Sequence, residues 1–278
     1  MFNFKFKRKQ TSKRQEEYID RQVKKFPKVV FIVFLVYFIL FAIYMSWYIY
    51  FRNTYILSEV RGSSMQNTLN PGITYENNSD DLVYINKKAK PNRSDIIVIG
   101  GFKNANGTED KLIKRAIGLA GDYITIKIGD DELYHVYTLD LEAEEGNQIV
   151  QIDEPYIKSA AEWTYNSSIY SPTITIGDET YEKCFYEQFL ADNSGYQKVV
   201  VENTLFFQVP EYEIFYLGDN RAHSSDARQR GTAKMSNVDG VAEIILSNAN
   251  KEGANVFGIK FTSLFNFYWN KLTNFFAR

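Results

Sequence analysis

Three short segments hold the residues whose types could do chemistry: Arg61–Leu69 (RGSSMQNTL), Leu112–Asp122 (LIKRAIGLAGD) and Leu217–Arg228 (LGDNRAHSSDAR). Each alone has an ordinary reading. A Ser-rich stretch ahead of Asn70-Pro71-Gly72 is a turn, and a Gly-Asp-Asn loop satisfies its own backbone. A lysine among strand-forming residues usually points into solvent. The chain has only two histidines, His135 and His223, and one cysteine, Cys184, so its chemistry must run mostly on Ser, Lys, Asp, Glu and Tyr. A serine hydroxyl is a weak nucleophile until a base takes its proton. A lysine is a base only when neutral, and its ordinary pKa is about 10.4. Burial lowers that value by disfavouring the ammonium. Lys114 sits among Leu112, Ile113, Ala116 and Ile117, which suits such a shift.

Composition closes off other chemistries. One cysteine excludes an internal disulfide framework and a Cys-based zinc site. Two histidines argue against a His-rich metal centre, so no metal and no other cofactor is expected. Lys+Arg number 32 and Asp+Glu 34, a net charge of -2, which argues against a simple nucleic-acid binder. Cys184 reads as an inert thiol.

The elements that must position these residues fall into unlike segments. Residues 1–28 hold ten Lys/Arg against Glu16, Glu17 and Asp20, a net of +7. Residues 29–51 (VVFIVFLVYFILFAIYMSWYIYF) hold no charge, and the remainder, 52–278, carries -9, which is -2 minus +7. As a helix the uncharged run rises ~35 Å, enough to cross a hydrocarbon core of ~30 Å. A cleaved leader has a shorter apolar region ending in small residues. This run ends in Trp47, Tyr48, Tyr50 and Phe51, which reads as an interfacial aromatic belt on an uncleaved anchor. Basic residues flank its N-terminal side, so residues 1–28 are expected to be a cytoplasmic tail and the rest to lie outside, on a single-pass cell-membrane protein.

Between residues 55 and 250 short β-rich runs dominate: 81–85, 95–99, 123–128, 198–201, 205–209, 213–217 and 241–246. The expected fold is mainly β, an antiparallel sheet or barrel-like domain over 52–256, with one N-terminal transmembrane helix and a C-terminal amphipathic helix. Residues 129–203 are less regular and acidic, and read as a variable inserted lobe. Residues 257–278 show helical apolar spacing; the helix lies on the membrane or packs on the β domain.

Ser-Met after an anchor, then Lys-Arg-x-x-Gly-x-x-Gly-Asp, then Gly-Asp-Asn-Arg-x-x-Ser-x-Asp-x-Arg, in this order and spacing, resembles the type I signal peptidase (leader peptidase) family. The resemblance covers the anchor, residues 58–122 and about 205–246, and the phrase Ile152–Ile157 (IDEPYI) is similar to a segment these enzymes carry. It implies a membrane-bound serine endopeptidase with a Ser–Lys dyad, acting through an acyl-enzyme on signal peptides of exported preproteins at the lipid bilayer. By the same resemblance Ser64 is the nucleophile, Lys114 the general base and Ser224 the residue that orients the lysine amine. Asp226 and Arg228 match a supporting acid–base pair, and Arg115, Asp219, Asn220 and Arg221 match scaffold positions. The lysine points to the bacterial or organellar branch, since the reticulum branch uses histidine. The Ser64 N–H is the expected oxyanion donor. In some relatives a hydroxyl two residues earlier helps, but here that position is Gly62, and Ser63 is the neighbouring alternative. The substrate pockets are not assigned by the sequence.

This chain also departs from the family pattern. Asn67 and Ala120 stand where the family usually has proline, which stiffens a turn. Those changes keep a different reading open, a catalytically idle homologue serving as a membrane-anchored assembly factor or chaperone for exported proteins. A self-cleaving repressor shares the Ser–Lys pairing, but the apolar run and the lack of a basic recognition helix count against it.

Overall fold

A computed structural model describes residues 13–66, 68–70, 81–103, 106–144, 146–157 and 173–246. Asn67 and the amphipathic stretch 257–278 lie outside the described residues. Residues 1–54 and 55–278 form two compact units.

In the first unit the uncharged run is part of one long helix, α1 (Lys13–Thr54). The helix starts well before the apolar stretch and continues through Lys24, Lys25, Pro27 and Lys28. Its basic end is tied by an i,i+4 pair, Lys24 to Asp20 at 2.7 Å. Phe31, Phe34, Tyr37 and Phe38 all stand exposed on it. Apolar side chains all round a helix call for a non-aqueous surrounding. Among the described residues α1 is the one helix long and apolar enough to cross a membrane, and none of its apolar window is buried. Near its end Trp47 stacks on Phe51, and Arg52 donates to the Tyr48 hydroxyl at 3.3 Å.

The second unit is built of antiparallel strands. One sheet runs β1 (Tyr55–Glu59), β2 (Leu82–Asn86), β14 (Val238–Leu246), β3 (Ile96–Lys103), β4 (Glu109–Gly118), β12 (Glu213–Leu217) and β13 (Ala233–Lys234), in that spatial order. The other runs β10 (Lys198–Val201), β11 (Thr204–Gln208), β5 (Tyr123–Ile128), β6 (Tyr134–Leu139) and β7 (Ile149–Gln151). A hairpin of β8 (Thr173–Ile176) and β9 (Glu179–Glu182) joins the second sheet through β5. The mainly β expectation holds, and each of the seven β-rich runs falls on a strand, with Asp81, Asp95 and Val209 just outside the strand ends.

Residues 129–203, read from the sequence as a lobe, supply β6 to β10 and a short helical stretch, α2 (Lys183–Phe185), continued by a π-turn over Tyr186–Leu190. That stretch places Phe185 and Phe189 in the main core, against Phe207 of β11 and Phe215 of β12. The ring centroids lie 4.3–6.1 Å apart, mostly edge-to-face, which is how aromatic quadrupoles pack best. A second, smaller cluster of Val60, Met65, Leu69, Val83, Ile85, Ile96 and Val98 lies on the first sheet.

The aromatic cluster generates a prediction. Phe189→Ala should destabilise the protein by about 3–5 kcal/mol, because a fully buried ring leaves a cavity the sheet cannot collapse into. The thermal midpoint of the full chain in detergent should fall by roughly 6–20 °C. An unchanged midpoint would mean the 185–190 stretch does not belong to the core.

Candidate active site

Ser64 follows β1 in a single helical turn, with Leu69 N–H donating to Met65 O at 2.8 Å and Gln66 N–H to Ser63 O at 3.0 Å. Gly62 enters the turn at φ +83°, a left-handed value that a side chain would strain. Met65 and Leu69 are wholly buried in the smaller apolar cluster and pin the turn to the sheet. Asn70 closes the segment. Its amide donates to Val60 O at 2.9 Å and Gly62 O at 3.2 Å, and it exchanges two 2.6 Å bonds with Asp81.

Lys114 lies in the interior of β4, opposite Ile97 of β3. It is 3% exposed. Its Nζ donates to Ser64 Oγ at 2.6 Å and to the Ile113 carbonyl at 2.9 Å. Burial lowers its pKa from the ordinary 10.5 to about 8; Asp226 opposes the shift and Arg230 adds to it. A neutral amine at that distance can accept the hydroxyl proton instead of donating. The structure thus brings together the two residues that the sequence places 50 positions apart.

The loop after β12 completes the surroundings. Gly218 lies in the space between Ser224 and the Ser64 carbonyl, where a Cβ would overlap the Ser224 side chain and come within 2.5 Å of Ser64 O. Ser224 is fully buried, but its hydroxyl does not bond the lysine amine; the second partner of Lys114 is the Ile113 carbonyl. Asp226 and Arg228 form a two-pronged ion pair at 2.8 and 3.0 Å. Burial alone would raise the Asp226 carboxyl, but the Arg228 guanidinium and the Gly218 N–H hold it below its ordinary range. Asp219 accepts two bonds from Arg115, at 2.8 and 2.5 Å, and one from Thr68 Oγ1 at 2.5 Å. Asn220 holds the serine turn through two bonds of 3.0 Å, N–H to Ser64 O and Nδ2 to Ser63 O. The turn at Ala120 closes without proline, since Asp122 accepts from Leu119 N–H at 2.7 Å and from Arg93 at 2.9 Å.

Three acidic and aromatic partners had no role assigned from the sequence. Glu154 pairs with Arg221 and accepts from the Tyr156 hydroxyl at 2.6 Å. The Tyr156 ring lies 3.7 Å from the Arg115 guanidinium carbon. Glu182, in β9, adds a second carboxylate to Arg228 at 3.3 Å. The phrase IDEPYI carried a signal for the first two; nothing local in the sequence marks Glu182.

A groove of about 430 Å³ opens beside the pair, lined by Val60, Gly62, Ser64, Val83, Val98, Ile113 and Lys114, with Glu59, Arg61, Asp110 and Lys111 around it. A larger cavity of about 650 Å³ near β5 and β6 is polar and holds neither Ser64 nor Lys114. Its His135 contacts Asp131 through one ring nitrogen and Gln151 through the other.

A serine hydroxyl within hydrogen-bond reach of a buried amine, beside an open groove, can do the chemistry of a serine hydrolase. The chain belongs to the signal peptidase family: the family described as "Signal peptidase, peptidase S26" matches residues 28–247. It is a serine peptidase of that family. It is similar to "Signal peptidase I" of Streptococcus pneumoniae serotype 4, 30% identical over 188 residues, covering 67% of this chain and 79% of the relative. It is also similar to "Signal peptidase I" of Buchnera aphidicola subsp. Baizongia pistaciae, 28% identical over 223 residues, covering 71% of this chain and 68% of the relative. A crystal structure of a signal peptidase I from Enterococcus faecalis V583 is 28% identical and covers 55% of this chain and 97% of that one; its TM-score of 0.31 is too low to bear on the fold.

The depressed lysine has a consequence for stability. In the unfolded chain Lys114 keeps its proton up to about pH 10.5, whereas in the folded chain it releases it near 8. Between those values the folded state binds fewer protons, so stability rises with pH, and below 8 the full cost is present. Lys114→Met should therefore be more stable than wild type at pH 7, by about 3 kcal/mol before the two lost hydrogen bonds are subtracted. The advantage should shrink as pH rises from 8 towards 10.5. A Lys114→Met protein that is less stable than wild type at every pH would contradict a burial-driven shift.

Proposed function

We propose that this chain is a membrane-anchored endopeptidase that removes signal peptides from exported preproteins, with Ser64 as nucleophile and Lys114 as general base. The observation that carries the reading is the 2.6 Å contact between the buried Lys114 Nζ and Ser64 Oγ. Neutral Lys114 takes the Ser64 proton as Oγ attacks the scissile carbonyl carbon. The negative oxygen that develops is held by the Ser64 N–H. The ammonium of Lys114 then protonates the departing amine, the C–N bond breaks, and the acyl group stays on Ser64 as an ester. Lys114, neutral again, takes a proton from water; the hydroxide oxygen attacks the ester, and the proton returns to Oγ as the new carboxyl end leaves.

The groove supports the substrate class. Its apolar wall of Val60, Val83, Val98 and Ile113 is filled by branched side chains close to the reacting pair. Such a wall suits small residues at the cleavage point, and secretory signal peptides end in small residues. The helix α1 serves as the anchor. Its basic N-terminal flank favours a cytoplasmic tail, which puts the peptidase unit on the other side, where exported chains emerge. Ser224, Asp226 and Arg228 support the site: Asp226 and Arg228 lock the loop, and Ser224 fills the space beside Gly218.

Cleavage of a preprotein by the purified full chain in detergent tests this. Ser64→Ala and Lys114→Met should each lower the rate by roughly 10³-fold or more, as loss of either half of a nucleophile–base pair does. In wild type, kcat/KM should fall as pH drops through about 8, where Lys114 gains its proton. Cleavage that survives Ser64→Ala sinks the assigned nucleophile, and an inert wild type points to the idle homologue.

A further inference from the structure

We infer that Glu154 and Tyr156 are positioning residues for the cleavage reaction: they lock Arg115 and Arg221, and through these hold the Gly218–Arg221 loop against the serine turn. The inference rests on the Ser64–Lys114 reading.

The chain of contacts is short. The Ser63 carbonyl and the Ser64 N–H belong to one planar peptide unit, so whatever grips one aims the other. Asn220 Nδ2 grips Ser63 O at 3.0 Å, and its N–H grips Ser64 O at the same distance. Asn220 thereby sets the direction of the proposed oxyanion donor. The next residue, Arg221, is 1% exposed, and its guanidinium ends on Glu154. Its Nε also donates to Gly218 O at 2.9 Å, which closes the loop on itself. Tyr156 extends the hold to the strand of the base. Its hydroxyl donates to Glu154, and its ring covers Arg115, the residue after Lys114. Arg115 in turn fixes Asp219, at the start of the same loop. Two residues of one segment, 154 and 156, therefore tie the strand bearing the amine to the loop that aims the donor. A planar guanidinium between an aromatic face and a carboxylate is held in one orientation, which a lysine could not reproduce.

Neither residue lines the groove, so substrate binding should be spared while transition-state stabilisation suffers. In preprotein cleavage by the full chain in detergent, Glu154→Gln and Tyr156→Leu should each lower kcat about tenfold or more, with KM within about twofold of wild type. Tyr156→Phe keeps the ring over Arg115 and should stay within about threefold of wild type kcat. Each variant is assayed well below its own thermal midpoint. Glu154→Gln leaves Arg221 buried without its carboxylate; if that variant does not fold, the Tyr156 pair decides. The inference is overturned if Tyr156→Leu keeps its kcat, if the loss falls on KM alone, or if the loss only follows the unfolded fraction. It is also overturned if Tyr156→Phe is as impaired as Tyr156→Leu. Ser64→Ala run alongside separates the two levels. A dead Ser64→Ala with unimpaired Tyr156→Leu removes this inference alone, whereas an active Ser64→Ala removes the parent reading and this with it.

Discussion

An amine held out of water beside a hydroxyl constrains everything packed around it. Burial draws the Lys114 amine towards its neutral form, with a pKa of about 8, yet the groups around it are charged and just as buried. Arg115, Arg221 and Arg228 share its environment, as do Asp219, Asp226 and Glu182. Any of these left unpaired would dominate the local potential, because buried charges are poorly screened. The structure meets this by pairing each arginine with carboxylate in two-pronged geometry or with a second carboxylate. Asp226 is the carboxylate that most favours the protonated lysine, and Arg228 takes both of its oxygens. What remains at Lys114 is the cost of burial, and that cost drives its pKa down.

Such pairs are weak contributors to net stability, since desolvation offsets much of the attraction. Their value here is geometric. The loop after β12 makes no regular ladder with the serine turn, so its shape depends on side chains. Asp219, Arg221, Asp226 and Arg228 each bond to backbone or side-chain groups several residues or whole segments away. Gly218 is required for the same reason: with Ser224 on one side and the Ser64 carbonyl on the other, no room exists for a Cβ.

Strand-forming runs were legible because β5, β10 and β12 are short, apolar and bounded by turn residues, and their limits match the runs 123–128, 198–201 and 213–217. The middle region was not. β6 reads YHVYTL and β9 reads ETYE, so their inward positions are Tyr and Val among polar neighbours, too weak a period to stand out. The aromatic core contribution of Phe185 and Phe189 was hidden because a three-residue helix and a π-turn have no periodic signature. In the site, Ser64 and Lys114 were paired by family resemblance alone; local patterning carries no information across 50 residues. Glu154 and Glu182 lie 67 and 46 positions from their arginines, and a single acidic residue gives no hint of such a partner. The expected lysine contact of Ser224 came from the same resemblance, and here the Ile113 carbonyl occupies that part of the amine's hydrogen bonding.

Sheet order explains why the smaller apolar cluster matters as much as the charges. Between β1, which leads to Ser64, and β4, which carries Lys114, stand β2, β14 and β3. The serine turn must therefore cross the face of three strands to meet the amine. Residues that cross a sheet make no ladder bonds with it, so only side-chain burial and isolated polar contacts can hold them. Val60, Met65 and Leu69 supply the burial, against Val83 and Ile85 of β2 and Ile96 and Val98 of β3. Asn70 and Asp81 tie the end of the segment back to its start at Val60 and Gly62, and Asn220 fastens the serine itself. Val60, Val83 and Val98 also line the groove. One layer of branched side chains thus does two things, carrying Ser64 across the sheet and walling the groove beside it. A larger side chain in that layer would fill the groove and lift the turn together, so the size of the groove and the placement of the hydroxyl cannot be altered independently.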